Sequence, residues 1–313
     1  MLLPPFPLRA APARHRCLPS ERLLYYAHKE AALAVRIVTD STADLPPSLA
    51  EELKISVVPL SVIFGNEVYR EGVDITHEQF YDKLVQSKVL PTTSAPSVGD
   101  FLAVYESLLA EADGVVSIHL SSKLSGTYNS ACQAAQMLGD RGARVCVIDS
   151  QLITFGMTFV VAAAARAALS GASMEEVRLA TERLIPRTHI FFLLDTLEYL
   201  RRGGRIGRAR ALLGAVLQVK PVLSLRDGEV HPEERVRTRA LALERVFQIV
   251  ASYPRIQELA VGYSTNRQEA EELRHRLAEA LPRVNVQVTR VGPVIGAHCG
   301  PGVLGIVLLE GEE

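Results

Sequence analysis

The sequence predicts a two-domain α/β protein, in which a parallel α/β/α N-terminal domain precedes a mixed α+β C-terminal domain. The chain has 313 residues, of which 48% are hydrophobic and 22% charged, so it can bury two cores and is too apolar for a disordered protein. Short β-branched runs alternate with helical patterns from Val35 onward. The turn signal Asp227-Gly228 then indicates an antiparallel hairpin in the second half.

Composition excludes several classes of function. The formal net charge of −1 argues against a nucleic-acid partner. The longest apolar run, Met157 to Ala165, is far shorter than a membrane span. The cysteines are scattered, without a CxxC pair, which argues against a disulfide framework and a structural zinc site; they are Cys17, Cys132, Cys146 and Cys299. We therefore expect a cytoplasmic, globular protein without a metal.

Residues 1–34 differ from the remainder of the chain. They hold five of the 17 prolines and five Lys or Arg residues against two acidic residues. No strand pattern occurs before Val35. We expect a disordered extension or a start codon assigned too far upstream, and an Arg-rich targeting segment is the alternative interpretation.

The N-terminal domain is expected over residues 35–180. Its mostly continuous apolar runs predict strands that are covered on both faces, as in a parallel sheet. These strands are Val35–Thr39, Ile55–Phe64, Val115–Leu120 and Val145–Ile148. Apolar residues at helical spacing from Phe101 to Leu109 predict one helix. The segment Met157 to Leu169 is apolar nearly all round and predicts a second, buried helix.

The C-terminal domain is expected over residues 181–313. Its predicted strands are Ile190–Leu194, Val222–Leu225, Glu229–Glu233, Leu259–Tyr263, Val284–Thr289 and Val303–Leu309. Two helices are predicted over Thr196–Arg202 and Ala209–Val219. Apolar residues at helical spacing predict two amphipathic helices, around Val246 and around Leu273. On the second of these we expect an ion pair between Glu272 and Arg276.

Hydroxyl-rich segments follow predicted strands or stand in loops, where α/β proteins place their ligands. They contain Thr39, Asp40 and Ser41 after the first strand, Thr93 and Ser94 between two prolines, and Ser125, Gly126 and Thr127 at the start of a helix. A helix start presents free N–H groups that suit a phosphate or carboxylate. Helix capping alone is the other interpretation. The chain contains no GxxxxGK[ST], the Walker A loop that binds a nucleotide phosphate, and no GxSxG, the nucleophile elbow of esterases.

Two further segments contain basic residues in unusual settings. Residues 201–210 include five arginines, with glycines at 203, 204 and 207. A smaller cluster contains Arg235, Arg237 and Arg239. Arginine is suited to binding phosphate or carboxylate, although surface charge for solubility is the alternative. His298 stands in what we predict to be a loop of four glycines and two prolines, which favours a site role.

Together these segments resemble the DegV family of bacterial fatty acid-binding proteins, in order and from Val35 to about Leu309. The similar motifs are Thr39-Asp40-Ser41-Thr42, Thr93-Ser94-Ala95-Pro96-Ser97, Leu124-Ser125-Gly126-Thr127-Tyr128, Asp149-Ser150, Gly203-Gly204-Arg205-Ile206, Lys220-Pro221, Arg237-Thr238 and Gly292-Pro293 through His298 to Gly300. Ala95 departs from the glutamine that is usual in the family, which puts in doubt a hydrogen bond from that amide.

The resemblance implies a DegV-like fold with one long-chain fatty acid at the domain boundary, its acyl chain in an apolar tunnel. It implies that Thr93, Ser125 and His298 bind the carboxylate. Supporting loops would supply Thr39, Asp40, Ser41, Ser94, Gly126 and Thr127. Arg205 and Arg237 would face a kinase partner or a phosphate.

The resemblance also implies a function, that of a carrier without catalysis of its own and without a cofactor. The carrier would present a fatty acid such as palmitate to a separate ATP-dependent fatty acid kinase, and the acyl phosphate would enter phospholipid synthesis. A transient membrane contact during loading is compatible with such a carrier. One alternative is an acyl hydrolase or transferase with Ser125 as nucleophile, His298 as base and Asp40 or Asp149 orienting it. Another is a carrier of a different anionic lipid.

Overall fold

A computed structural model describes residues 35–213 and 220–312. The predictions for residues 1–34, and for the part of the predicted helix over 214–219, lie outside the described residues. The strands are β1 Val35–Asp40, β2 Ile55–Val58, β3 Ser61–Phe64, β4 Glu67–Arg70, β5 Thr92–Ser94, β6 Gly114–His119, β7 Val145–Asp149, β8 Thr188–Leu193, β9 Lys220–Arg226, β10 Glu229–Val236, β11 Ile256–Tyr263, β12 Val286–Arg290 and β13 Leu304–Glu310.

The helices alternate with the strands in the first half of the chain and flank the hairpins in the second. They are α1 Pro47–Glu52, α2 His77–Gln86, α3 Val98–Leu109, α4 Thr127–Met137, α5 Thr154–Leu169, α6 Met174–Leu184, α7 Glu198–Arg202, α8 Arg239–Ala251, α9 Arg267–Ala280 and α10 Pro293–Cys299. None of the helices in the described ranges has both the length and the apolar character that crossing a bilayer requires.

The predicted parallel sheet is confirmed, with the strand order β2-β1-β6-β7. Thr39 on β1 lies opposite Val57 on one side and Ile118 on the other, so the carboxyl ends of the strands share one edge. Every residue of β6 is buried, as the continuous apolar run predicts. The predicted helix α5 is buried along most of its length. Its Gly156 faces Ile190 of β8 closely, so α5 packs against the second sheet as well.

The prediction of a single strand over Ile55–Phe64 is wrong. The chain leaves the parallel sheet after β2, passes through Pro59 and Leu60, and enters a separate antiparallel sheet of order β4-β3-β5. Proline has no N–H to donate to a sheet, which explains the break, but the apolar run on both sides conceals it in the sequence. This small sheet and α2 were not predicted, and the pairing of β5 with β3 positions Thr93 opposite Val62.

The predicted α+β character of the second half is confirmed, and its sheet has the order β10-β9-β8-β13-β11-β12. The β11–β12 pair is parallel, and the other pairs are antiparallel. The predicted hairpin joins β9 to β10, and both turn residues, Asp227 and Gly228, have positive φ (48° and 76°). The tip of this hairpin contacts the parallel sheet's edge, because the Ser121 hydroxyl donates a 2.6 Å hydrogen bond to the Gly228 carbonyl.

Helix α6 spans the boundary predicted at 180/181. The helix predicted from Ala209 is instead a 3₁₀ turn over Gly207–Leu212 in its described part. Gly207 has a φ of 51°, a left-handed conformation that does not start a regular α-helix.

Another correction concerns the ion pair predicted on α9. Arg276 donates a 2.6 Å hydrogen bond to Glu244 of α8 and lies over the ring of Phe247 at 4.5 Å, whereas Glu272 accepts a hydrogen bond from Gln268. The neighbouring helix offers Arg276 both a carboxylate and an aromatic face, and spacing along one helix does not reveal such a neighbour.

Candidate functional site

An apolar cavity of about 50 Å³ lies where β5, the segment after β6, α7 and α10 meet. Ten of its lining residues are apolar or carry a thiol: Leu60, Leu120, Leu124, Ile153, Phe192, Leu200, Val230, Val294, Ile295 and Cys299. The remaining four are polar or charged: Thr93, Ser125, Arg205 and His298. The cavity therefore combines an apolar wall with one polar group of side chains, and all four of those residues were singled out by the sequence.

A second apolar cavity, of about 40 Å³, continues the first. The two share Ile153, Phe192, Ile295 and Cys299 in their walls. The second cavity runs between α5 and the mixed sheet, where Phe155 and other apolar side chains line it. The two cavities together form an apolar path that leads away from the polar group.

An outer pocket of about 190 Å³ lies on the other side of the polar group. It shares Thr93, Arg205 and His298 with the first apolar cavity and adds Arg202, Tyr199 and residues 90–92. The shared residues therefore separate an apolar interior from a more polar pocket that contains two arginines.

His298 is at the centre of the polar group. Its Nε2 lies 2.8 Å from Thr93 Oγ1, whereas its buried Nδ1 has no hydrogen-bond partner within residues 35–213 and 220–312. Burial, and next the charge of Arg205, lower the pKa of His298 to about 4. The imidazole is therefore neutral at pH 7, and its N–H can donate to an anion without adding a full charge.

The short helix α10 positions His298, so the prediction that this residue stands in a loop is wrong. Pro293 occupies the first helical turn, where its missing N–H has no consequence. Gly203 lies directly against the ring, because a methyl group at this position would meet His298 Nδ1 and Cε1. Gly203 thus leaves room for the imidazole.

Ser125 belongs to the turn that precedes α4. Its Oγ lies 2.9 Å from Thr127 Oγ1 and 3.3 Å from the Thr127 backbone nitrogen, which donates to it. Gly126 between them is exposed and needs no special conformation, since its φ is −76°. The turn directs a hydroxyl into the cavity beside the start of a helix, which is a suitable setting for an anion.

Arg205 is half-buried and is held by backbone oxygens. Its Nε donates to the Leu124 carbonyl at 3.0 Å and its Nη1 to the Gly203 carbonyl at 2.5 Å. Arg237 is exposed and lines none of these three pockets. The structure thus brings Arg205, but not Arg237, beside His298.

None of the three pockets is lined by Thr39, Asp40 or Ser41, which stand at the end of β1. Asp40 is fully buried and accepts hydrogen bonds from His119 Nδ1 at 2.9 Å and the Leu120 N–H at 3.0 Å. Thr39 donates to the Ile118 carbonyl, and Ser41 donates to Glu71. These groups connect β1 to β6 and to the segment after β4. Ser94 and Ala95 are exposed beside Thr93.

The described residues do not assemble the alternative catalytic triad. Asp40 bonds His119 instead of His298, and Asp149 accepts a 2.5 Å hydrogen bond from Ser122. Ser125 bonds Thr127, and His298 bonds Thr93. His298 is therefore without the carboxylate that would orient it as a base toward Ser125.

The sequence analysis missed the apolar wall and the contacts that hold α10. Leu60, Ile295 and Cys299 come from distant parts of the chain, and only the fold brings them to one cavity. Tyr199 at the outer pocket lies two residues before the arginine-rich residues 201–210 and was not given a role. Gly203 was a usable signal, since close approach is a common reason for glycine, whereas Gly204 has a positive φ of 72° and open space around it.

Comparison with known proteins gives a consistent result. The family model described as "Uncharacterised protein, DegV family" matches residues 34–311. A DegV domain-containing protein of Streptomyces coelicolor is 40% identical over 278 residues, which cover 88% of this chain and 98% of the relative.

Solved structures agree. A DegV family protein from Thermus thermophilus, described by its fatty acid binding, has a TM-score of 0.81 and 38% identity over 88% of this chain and 99% of that one. DegV of Bacillus subtilis, described as a fatty acid binding protein, has a TM-score of 0.82 and 34% identity over 89% of this chain and 100% of that one. The chain therefore belongs to the DegV family, and it has the DegV fold.

Proposed function

We propose that this protein binds one long-chain fatty acid such as palmitate, with the carboxylate at Thr93, Ser125 and His298 and the acyl chain along the apolar path. The observation that supports the proposal is that these three side chains, together with Arg205, are the polar part of a cavity whose other lining residues are apolar or carry a thiol. The fatty acid binding described for the Thermus thermophilus and Bacillus subtilis relatives supports it. A carrier of another anionic lipid is the second candidate, because the same chemistry would accept it.

The acyl chain supplies most of the affinity. A palmitoyl chain has roughly fourteen methylenes, and burying each contributes about 0.8 kcal/mol, or about 11 kcal/mol before the loss of translational and chain freedom. The two cavities measure about 50 and 40 Å³, less than the roughly 150 Å³ that accommodates benzene. The side chains along the path must therefore move apart when the chain enters.

The head group determines orientation. A carboxylate in apolar surroundings is unfavourable unless donors replace its water. The hydroxyls of Thr93 and Ser125 and the neutral imidazole of His298 offer such donors. Because none of the three adds a full positive charge, the carboxylate is stabilised while it stays available to a phosphoryl donor.

The outer pocket supports presentation of the carboxylate to a separate ATP-dependent fatty acid kinase. It meets the inner cavity at His298 and contains Arg202 and Arg205, whose guanidinium groups suit a phosphate. In this proposal the protein itself is not a catalyst, needs no cofactor and acts in the cytoplasm, and the acyl phosphate enters phospholipid synthesis. Arg237 would contact the kinase from the exposed end of β10.

The division into domains over residues 35–180 and 181–313 is part of the same proposal. Thr93 and Ser125 would then come from the first domain, and Arg205 and His298 from the second. The fatty acid would lie at the boundary, where relative movement of the two domains would open the apolar path.

Native mass spectrometry of the purified full chain, followed by solvent extraction, tests the proposal. We expect a mass increment of one ligand for each chain that extracts as a long-chain fatty acid, or uptake of one added palmitate. A phospholipid or polyisoprenoid as the extracted species would favour the second candidate. A preparation that contains no lipid and takes up no added fatty acid would contradict both.

A further inference from the structure

Two buried carboxyl groups, Asp44 and Glu71, lie at the beginning of α10, on the side away from His298. Asp44 is 8% exposed and Glu71 is 4% exposed. Neither lines any of the three pockets described above, so the proposed binding of a fatty acid does not use them directly. Their contacts with α10 nevertheless connect them to the site.

The carboxyl pair holds the first turn of α10 through its backbone. Asp44 Oδ2 accepts a 3.2 Å hydrogen bond from the Gly292 N–H, and Glu71 Oε1 accepts a 2.8 Å hydrogen bond from the Val294 N–H. These N–H groups belong to the helix start, where no carbonyl of the helix is available to them. Because Val294 and His298 belong to the same helix, the pair positions both the apolar wall and the carboxylate-binding side chain.

The two carboxyl groups also face each other. A methyl group on Gly292 would meet both Asp44 Oδ1 and Glu71 Oε1, so both oxygens border the same small space. Asp44 Oδ1 is buried and has no hydrogen-bond partner among the described residues. Two ionised carboxylates that border one buried space repel each other, and a proton on either group removes that repulsion.

The surroundings of the pair contain more acidic than basic groups. Asp40 and Tyr81 lie near the pair, the Tyr81 hydroxyl donates a 3.0 Å hydrogen bond to the Val291 carbonyl, and Arg290 stacks on the Tyr81 ring at 4.8 Å. Arg290 in turn pairs with Glu78 at 3.3 Å. Within residues 35–213 and 220–312, no Lys, Arg or His forms an ion pair with Asp44 or Glu71. A proton is thus the positive charge that this space accommodates.

We propose that Asp44 and Glu71 form a proton-dependent clasp, which holds α10 and positions His298 while the pair carries a proton and loosens when both groups are ionised. Burial, and next the charge of the partner carboxylate, raises the pKa of Asp44 well above its usual range. Burial raises the pKa of Glu71 to about 7. The raised pKa of Glu71 belongs to the closed clasp, in which both carboxyl groups hold α10. The closed clasp is therefore favoured at low pH, and this preference is lost progressively as pH rises from 4.5 toward about 7. The inference rests on the proposed function only where it concerns the fatty acid.

Hydrogen–deuterium exchange of the ligand-free full chain tests the clasp without a fatty acid. After correction for intrinsic exchange, we expect the opening constant of α10 to rise on the order of 100-fold between about pH 5 and about pH 8, while α9 stays unchanged as an internal reference. Glu71→Gln keeps an acceptor for the Val294 N–H and removes one of the two charges, so the opening constant of α10 should rise with pH by a smaller factor in this variant than in the wild type. Glu52→Gln, on the exposed face of α1, is the matched control and should behave as the wild type.

Palmitate binding then connects the clasp to the site. The wild-type dissociation constant should increase with pH by a larger factor than that of Glu71→Gln. A wild-type α10 whose protection does not change with pH would overturn the clasp, even if Glu71→Gln failed to fold. A pH-dependent α10 in a protein that binds no fatty acid at either pH would support the clasp and contradict the proposed function.

Discussion

Gly203→Ala is the most direct test of the proposal that His298 binds the carboxylate of a fatty acid. A methyl group at this position would meet His298 Nδ1 and would approach Cε1 and the Tyr199 carbonyl to 3.1 Å each. The Tyr199 carbonyl belongs to a helix, so the imidazole is the group that must move. Its Nε2 would then leave Thr93 Oγ1, from which it now lies 2.8 Å away.

The magnitude follows from the hydrogen bonds that this movement breaks. Loss of a donor to a buried charged group costs about 1–3 kcal/mol, so the affinity for palmitate should fall by roughly 5- to 150-fold. Gly203 has a φ of −70°, so alanine adds no backbone strain there. Gly99→Ala is the matched control, because the nearest atom, Ser97 Oγ, lies at an ordinary contact distance of 3.7 Å.

Isothermal titration with palmitate, with thermal unfolding to confirm folding, measures the effect. A double-mutant cycle with His298→Ala separates the causes, since Gly203→Ala should have little further effect once the imidazole is gone. Wild-type affinity in a folded Gly203→Ala variant would refute the assignment of His298. A full further loss in the His298→Ala background would show that the added methyl acts on something else.

Three other outcomes are expected. Ser125→Ala should weaken palmitate binding by about 1–3 kcal/mol, whereas Ser94→Ala, which removes an exposed hydroxyl, should not. Equal palmitate affinities of the two variants would exclude Ser125 from the head-group site. The Arg205→Ala variant should still bind fatty acid but should no longer support turnover by the kinase, and Arg210→Ala, at an exposed position, is the control. Equal loss of fatty acid binding and of kinase turnover would place Arg205 on the carboxylate. His298 has a lowered pKa, so its contribution to stability is present above pH 6.5 and is lost as pH falls through about 4. Denaturant unfolding should therefore show that the wild type loses about 3 kcal/mol more than His298→Gln over that interval, and parallel pH profiles would contradict this assignment.

The sequence predicted the parallel sheet, the hairpin and the buried helix α5 because each depends on local patterns. A continuous apolar run, an Asp-Gly turn and an all-round apolar helix are physical requirements of those structures. The break at Pro59 was missed because both flanking strands are apolar, although they belong to different sheets. Likewise, α10 was predicted as a loop because glycine and proline are frequent in loops. The same residues also mark the start and the end of a short helix, which is their place here.

For the candidate site, the sequence and the resemblance identified the polar residues better than the apolar ones. Thr93, Ser125, Arg205 and His298 line the same cavity, although Thr93 lies on β5 and His298 on α10 instead of in loops. Asp40 stands in an equally suggestive motif, but its carboxylate bonds His119 inside the core. A buried carboxylate needs hydrogen-bond donors whether or not it belongs to a binding site, so the motif alone does not distinguish the two cases. The apolar wall could not be predicted, because any core residue satisfies the same pattern until the strands are placed in three dimensions.

The β9–β10 hairpin has a consequence for how members of this family could diverge in the lipids they carry. Its tip is fixed by the bond from Ser121 to the Gly228 carbonyl, and Val230, two residues further on, forms part of the cavity wall. Side chains alternate along a strand, so one inserted residue in the turn would rotate Val230 away and direct its neighbour inward. Where such an insertion or deletion shifts the pairing of β10 with β9 by one residue, it would alter ligand selectivity while leaving Thr93, Ser125 and His298 in place.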